Sequence, residues 1–351
     1  MAEGAVDLLA ISPSDDLRYL LGFAPVADER LCLLLLGLAE ALVVVPSVNA
    51  DQLHAAVPEL ELARWDDADG PSAVLDGALA GFELAAATIG VDATMRADSL
   101  LQLEAARPSA RYIGAGEVIG QLRLRKDDAE LDTLRESART ADAAVRAAFA
   151  ACSEGRSELE IAEAASAAFL REGADEATFA IVASGPNAAF PHHHSGRRPL
   201  HHGDAVVIDV GGRVGGYASD ITRVAHVGTP TERFRRACGA VEAAVQAAVA
   251  VVRPGVRCSD VDAAARGAIE EAGFGPFFIH RTGHGLGLSG HEPPWIMAGE
   301  ATPLEPGMVF SIEPGVYLPD ELGVRLEEIV AVTASGCEIL SRLPRDVYVA
   351  T

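Results

Sequence analysis

Basic charge is scarce in this chain, with 28 lysines and arginines against 51 aspartates and glutamates, a net charge of −23 at pH 7. A surface of that sign repels nucleic acid and anionic membranes, which excludes both as partners and leaves a small or cationic substrate as the easier one. Because acidity is also a common route to solubility, it says nothing further about the substrate. Cysteine pairs are missing too. The five cysteines, Cys32, Cys152, Cys238, Cys258 and Cys337, are odd in number, scattered and without a C-x-x-C pair, so they read as reduced core residues of a cytoplasmic protein. The first residues lack the basic region and apolar core of a signal peptide. No apolar run reaches the ~20 residues that span a bilayer. The longest, Leu31 to Pro46, is broken by Gly37 and Glu40 and reads as two strands, Leu31–Leu36 and Ala41–Val45. Low-complexity tracts and short-period repeats are absent.

What is present suffices for two domains with their own cores, given 351 residues of which 49% are hydrophobic. The first part alternates in an α/β pattern: the two strands above, helices near Asp51–Val57 and Pro71–Leu84, a strand at Thr88–Val91 and a helix at Asp98–Ala106. A charged connector, Leu122 to Asp128, then opens a long alanine-rich helix over Ala129–Cys152, capped by Asp127 or Asp128 with Glu130 in its first turn. The boundary is placed there, giving domains 1–122 and 123–351. Beyond it, Ser157 caps a helix over Glu158–Arg171 that Gly173 stops, and two more helices cover Thr231–Val252 and Ser259–Ala272. Strand-like segments fall at Phe179–Ser184, Ala205–Asp209, Ile221–Val227, Met308–Ile312, Leu326–Val332 and Glu338–Leu340. Paired helices among antiparallel-compatible strands predict an α+β fold.

The chemistry centres on Gly203 to Arg223. Asp209 ends the apolar run Ala205-Val206-Val207-Ile208, where a buried strand normally carries Val or Ile, and an ionised carboxylate there must be paired or hold a metal. Gly211, Gly212, Gly215 and Gly216 let the backbone turn back, so that Asp220, opening the next strand, returns beside Asp209. Downstream come a histidine in Thr282-Gly283-His284-Gly285 and glutamates in Ser311-Ile312-Glu313-Pro314 and Val324-Arg325-Leu326-Glu327. Nine of the ten histidines lie in the stretch from His192 to His291. His193, His194, His201 and His202 read as a polar loop. His280, His284 and His291 sit among glycines that allow close approach of backbone to a ligand.

The pieces V-V-I-D-V-G, S-D-I-T-R, G-H-G-L-G-L-S-G-H-E-P-P, S-I-E-P-G-V-Y and G-V-R-L-E, in this order, resemble the pita-bread metallopeptidases, a group that includes methionine aminopeptidase, aminopeptidase P and prolidase. The resemblance runs from Lys126 to the C-terminus and extends more weakly, through D-L-R-Y-L-L-G-F, to a creatinase-type N-terminal domain. It implies a two-metal centre with Asp209, Asp220, His284, Glu313 and Glu327 as ligands, Asp220 and Glu327 bridging. Four carboxylates and one imidazole form a hard site suited to manganese, with cobalt, iron or zinc as competitors. Ions ~3.5–4 Å apart would turn a shared water into a hydroxide nucleophile.

By the same resemblance, His192 is the first active-site histidine, His291 polarises the scissile carbonyl, His280 lines the proline pocket, and Glu313 doubles as general base. Tyr317 and Arg325 would brace the ligands. Glu328 stands where relatives usually have Asp and is not a ligand.

The implied reaction is hydrolysis of the bond between an N-terminal residue and a following proline, whose nitrogen carries no hydrogen and whose ring blocks ordinary peptidases. Substrates are then peptides with proline second, and the family's usual state is a homodimer. Methionine aminopeptidase fits less well, because that branch lacks a domain like residues 1–122. Asp16-Leu17-Arg18-Tyr19 resembles the D-x-R-Y motif of small aminopeptidases P, which makes Asp16, Arg18 and Tyr19 substrate-side candidates. No insertion that would clamp a dipeptide's carboxylate stands out between Gly203 and Glu328. The expectation is therefore an Xaa-Pro aminopeptidase, with an Xaa-Pro dipeptidase as the alternative. A non-catalytic pita-bread binding module or a metal-free creatinase-like hydrolase would typically lack ligands that are all present here.

Overall fold

The computed structural model describes residues 6–82 and 87–350. The chain divides into two compact units, Met1–Arg123 and Leu124–Thr351.

The first unit is a six-stranded sheet of order β4-β3-β2-β1-β5-β6, made of β1 (Leu8–Ile11), β2 (Leu33–Leu36), β3 (Ala41–Pro46), β4 (Glu61–Trp65), β5 (Thr88–Val91) and β6 (Arg111–Gly114). The pairs β1–β2 and β2–β3 are antiparallel and the other three parallel. Its helices are α1 (Asp15–Leu21), α2 (Ser47–Ala56), α3 (Ser72–Ala80), α4 (Ala97–Ala106) and α5 (Ile119–Leu124). The apolar run of the sequence is the hairpin β2–β3, closed where Gly37 N donates to Glu40 O at 2.8 Å. Alternate side chains serve opposite cores: Leu33 and Leu35 pack with Leu75, Leu79 and Leu103, whereas Leu34, Val43 and Val45 pack with Leu17 and Leu53. Because helices cover both faces, these strands are apolar throughout instead of alternating. The helix expected to reach Leu84 ends at Ala80 within the described residues, and Leu84 lies outside them.

The second unit begins with α6 (Asp128–Ala151) and α7 (Glu158–Arg171). Asp127 caps α6 and Ser157 caps α7, each in a reciprocal capping box with Glu130 or Glu160. Then come β7 (Glu176–Ser184), β8 (Ala205–Val214), β9 (Tyr217–Val227), α8 (Glu232–Val251) and α9 (Cys258–Glu271). The strands β10 (Gly283–Gly285), β11 (Glu292–Ile296), β12 (Val309–Ile312), β13 (Gly315–Leu318), β14 (Leu322–Arg325), β15 (Glu328–Val332), β16 (Cys337–Ile339) and β17 (Tyr348–Ala350) complete it. One sheet runs β17-β9-β8-β7, another β11-β10-β12-β15-β16, and β13–β14 is a separate hairpin. Helices α6 and α7 bury Val145, Ile161 and Phe169 against Val206 and Ile208, while α8 and α9 bury Phe234, Val241 and Val261 with Val207, Phe310 and Ile312.

The two halves of this unit repeat one plan. The residues before α7 and α9 are tied alike, Gly155 N to Leu200 O and Gly255 N to Leu304 O, both at 2.8 Å. Ser157 bridges to Pro199 and Arg257 to Pro303. Among the described residues, no helix is long and apolar enough to cross a membrane.

The central hairpin departs from expectation in two ways. Only Gly215 and Gly216, at φ 56 and 83, make its two-residue turn, as a primed hairpin turn requires. Gly211 and Gly212 lie inside β8, where a Cβ would collide with the rings of Phe179 and Phe169. Asp220 does not open a strand either, since β9 starts at Tyr217.

Candidate metal centre

The hairpin β8–β9 supplies the first two carboxylates. Asp209 pairs in register with Thr222, and Asp220 lies two residues along on the same face, so the aspartates are diagonal neighbours across the ladder. His284 is the middle residue of the short β10, flanked by glycines; a Cβ on Gly283 would run into the carbonyl of Ser311, so glycine lets β10 approach β12. The backbone N–H of His284 donates to Ser311 Oγ at 3.0 Å, and its ring Nδ1 lies 3.1 Å from Gly285 O. A proton on Nδ1 satisfies that carbonyl and leaves Nε2 facing Glu313 Oε1 at 3.3 Å and Asp220 Oδ2 at 3.9 Å. Glu313 follows β12, with its N–H on Thr282 O at 2.8 Å. Glu327 stands between β14 and β15. Its N–H donates to Thr222 O at 3.1 Å, and its Oε2 accepts from Thr222 Oγ1 at 2.8 Å.

Among the described residues, three sets of donor atoms each fall within 4.8 Å of one another: Asp220, His284 and His291; His284, Glu313 and Glu327; Asp209, Asp220 and Glu327. They share members and form one cluster. Burial, then the charges of Glu327 and Asp209, push Asp220 well above the usual carboxylate range. Burial, then Glu313 and Asp209, do the same to Glu327. Burial also opposes the charge on Glu313, but His284, His280 and Arg325 outweigh it and hold this carboxyl at about 2. Asp209 Oδ1 and Glu327 Oε1 are buried without a hydrogen-bond partner among the described residues. Protein atoms alone therefore leave this cluster with unmet lone pairs and mutual repulsion. A divalent cation meets both, and the oxygen-rich donor set fits one.

A chain of hydrogen bonds backs the cluster. Arg325 donates through Nη2 to Asp209 Oδ2, through Nε to Thr222 Oγ1 at 3.1 Å and through Nη1 to the Tyr317 hydroxyl at 2.9 Å. The phenol lies 2.9 Å from His280 Nε2, and burial raises its pKa to about 12, so it stays protonated. Arg325 and Tyr317 thus sit where they brace Asp209.

The cluster forms one wall of a cavity of about 550 Å³ that also holds His192, His280 and His291. Phe179, Ile181 and Pro191 give the cavity an apolar side. The ring of His291 stacks on that of His284 with centroids 3.7 Å apart, and burial, with His284 and Arg281 adding to it, lowers its pKa to about 4. It is neutral at pH 7.

Asp16, Arg18 and Tyr19 belong to α1 of the first unit. Asp16 Oδ1 accepts from Arg123 Nη1 at 2.6 Å, and Tyr19 donates to Leu122 O at 3.4 Å. His193 is not a free polar-loop residue, since its Nε2 lies 2.9 Å from the fully buried carboxylate of Glu158. Glu158 also accepts from Ser184 N, Asn187 Nδ2 and Gly196 N, so it pins the loop that carries His192. Glu328 faces away from the cavity and binds Arg223 and Arg345, each at 2.9 Å.

The sequence reading missed Arg281. It lines the cavity, its guanidinium lies 4.4 Å over the ring of Trp295, and Nη2 is 3.3 Å from His291 Nδ1. Its place between His280 and His284, in the glycine-rich run, was the available signal.

Residues 132–334 match the model of metallopeptidase family M24, and residues 1–125 that of the creatinase/prolidase N-terminal domain. The chain belongs to metallopeptidase family M24. Among its relatives, "Probable dipeptidase PepE" of Mycobacterium tuberculosis is 39% identical, over 99% of this chain and 93% of that protein. The structure of prolidase from Thermococcus sibiricus superposes with a TM-score of 0.95 at 33% identity, covering 100% of this chain and 96% of that one. X-Pro aminopeptidase from Thermotoga maritima superposes at 0.86 with 29% identity, covering 99% and 97%. The fold is thus a creatinase-type N-terminal domain followed by the pita-bread domain of M24 enzymes, an α+β protein.

Proposed function

We propose that this M24 peptidase is an Xaa-Pro dipeptidase working with two divalent ions, most naturally manganese, held by Asp209, Asp220, His284, Glu313 and Glu327. The observation that carries the metal reading is the pair of buried oxygens, Asp209 Oδ1 and Glu327 Oε1, that have no hydrogen-bond partner among the described residues, inside a cluster of four carboxylates. When bound, the ions would supply Lewis-acid polarisation of the scissile carbonyl and an activated water. The chain's own groups do the rest. Neutral His291 offers an N–H to the carbonyl oxygen as charge develops on it, and Glu313 relays a proton to the departing proline nitrogen. Phe179 and Ile181 give the substrate an apolar wall.

Dipeptide length is preferred over the aminopeptidase expectation for two reasons. The whole-chain relatives at 39% and 33% identity are named dipeptidase and prolidase, against 29% for the X-Pro aminopeptidase. Arg281 is the fixed cation that sequence reading could not find, lining the cavity without an ion-pair partner among the described residues.

The test is metal content by elemental analysis together with hydrolysis of Xaa-Pro and Xaa-Pro-Xaa series before and after chelation. Expected are two ions per chain, loss of activity on chelation and faster cleavage of dipeptides. Asp220→Ala should lose both metal and turnover. Full activity in chelated protein refutes the metal reading, and cleavage of tripeptides alone restores the aminopeptidase.

A further inference from the structure

Of the 28 lysines and arginines, 27 are arginine, and the single lysine is Lys126. It is also one of the most enclosed charges away from the metal cluster. Its side chain is 1% exposed and that of its partner Glu292 7%, with Nζ 2.6 Å from Oε1. Glu292 is the residue after His291 and opens β11, pairing in register with Gly285 beside His284. Its other oxygen accepts the Ser289 N–H at 3.2 Å. The carboxylate is thus the hub of the loop Leu286–His291, which leaves from His284 and returns to the ring stacked on it. Lys126 is itself anchored, its N–H on Gly307 O at 2.8 Å, just before the cap of α6.

Gly287 explains why a lysine stands here. A Cβ at that position would lie 2.5 Å from Glu292 Oε1 and 2.9 Å from Lys126 Cε. Packing this close favours a compact ammonium on an unbranched stem over a broad planar guanidinium. A chain that uses arginine at every other basic position therefore keeps lysine at this one. Desolvation offsets most of the attraction in a buried ion pair, so the pair adds little net stability, and what it supplies is a fixed geometry.

We infer that the Lys126–Glu292 pair is a positioning pair for His291, holding the loop Leu286–His291 so that the imidazole meets the scissile carbonyl, and that the slot requires lysine. The role of His291 rests on the function proposed above.

The experiment compares metal-loaded wild type, Lys126→Arg and Glu292→Gln, each also combined with His291→Ala. Metal content, thermal unfolding, kcat and KM on an Xaa-Pro dipeptide, and amide hydrogen exchange over residues 286–291 are measured. Lys126→Arg should stay folded and fully loaded, with kcat at least tenfold lower and KM changed less than threefold. In the His291→Ala background the same substitution should cost less than twofold, because the residue it acts through is gone. A loss that persists undiminished there overturns the inference, as does a wild-type kcat in Lys126→Arg. If Lys126→Arg does not fold, Glu292→Gln carries the same comparison. If the wild type cleaves no Xaa-Pro dipeptide, the proposed function has failed and exchange still decides the pin. Faster exchange confined to residues 286–291 in Glu292→Gln supports it, and unchanged exchange there refutes it.

Discussion

Removing the guanidinium of Arg281 tests how the cavity measures its substrate. The group has no carboxylate partner among the described residues, yet it is not loose: its carbon lies 4.4 Å over the Trp295 ring and Nη2 lies 3.3 Å from His291. Stacking of this kind contributes about 0.5–1 kcal/mol and fixes the plane of the fork before substrate arrives. A hydrogen bond to a charged group contributes about 1.5–3 kcal/mol. Since Arg281 is half-buried, the lower part of that range applies, and about 1.4 kcal/mol corresponds to tenfold. Arg281→Met should therefore lower kcat/KM for Ala-Pro by roughly ten- to fiftyfold. The informative control is Ala-Pro-amide, which presents the same scissile bond without the terminal charge. Wild type should discriminate between the two by a similar factor, and Arg281→Met should nearly abolish the discrimination. Equal losses on acid and amide would show that Arg281 acts through His291 or the fold. No loss on either would remove it from substrate binding.

The neighbouring groups give further outcomes. His291→Ala should keep its metal yet slow hydrolysis by roughly a hundredfold, as expected when one transition-state donor is lost, and the metal content and kcat of the purified variant check it. Glu158→Ala leaves the N–H groups of Ser184 and Gly196 without their acceptor and should destabilise the protein by about 3 kcal/mol, read from urea unfolding. In metal-free protein the Asp220 and Glu327 carboxyls lie well above their ordinary values of 3.8 and 4.5, because of burial and then neighbouring carboxylates. Their contribution to stability is full below those values and is lost as pH rises through the folded ones. The gain in Tm on metal loading should therefore grow between pH 5 and 8, with protons released on binding. A gain independent of pH would contradict these shifts.

How far the fold was legible depended on whether an element announces its own ends. Helices α7 and α9 were placed within a residue or two because an apolar stripe fills each interval, with Ser157 and Gly173 punctuating α7. Strands β8 and β9 were found, but too short, because Gly211 and Gly212 look like a turn. Only the rings of Phe169 and Phe179, distant in sequence from β8, make glycine a strand residue there. Strands β10, β11, β13 and β14 have three to five residues, several of them glycine or proline, and exist only through their partners. The repeated plan of the second unit was invisible for a related reason. Ser157 and Arg257 occupy equivalent places and share backbone contacts, not chemistry.

Within the site, the carboxylates were legible because each is costly where it stands. An aspartate ending a Val-Val-Ile run has no inexpensive explanation, and the structure brings Asp209, Asp220, His284, Glu313 and Glu327 to one cluster with two oxygens unpartnered among the described residues. Arg281, Glu158 and Lys126 gave no such signal. An arginine in a glycine-rich loop, a glutamate in the first turn of a helix and a lysine in a charged connector are all ordinary on a surface, and at those positions helix capping or solvation accounts for them fully. Their significance arises from enclosure: Glu158 is 0% exposed under five donors, and Lys126 is 1% exposed against a carboxylate beside His291. Sequence reading detects groups that are anomalous in their local segment, and so it finds the cluster proposed to hold metal. Residues that position substrate or catalytic side chains are locally ordinary and become anomalous only when distant segments close over them. In the functions proposed for this chain, substrate length and loop geometry therefore turn on Arg281 and Lys126, two cations that composition alone would assign to solvent.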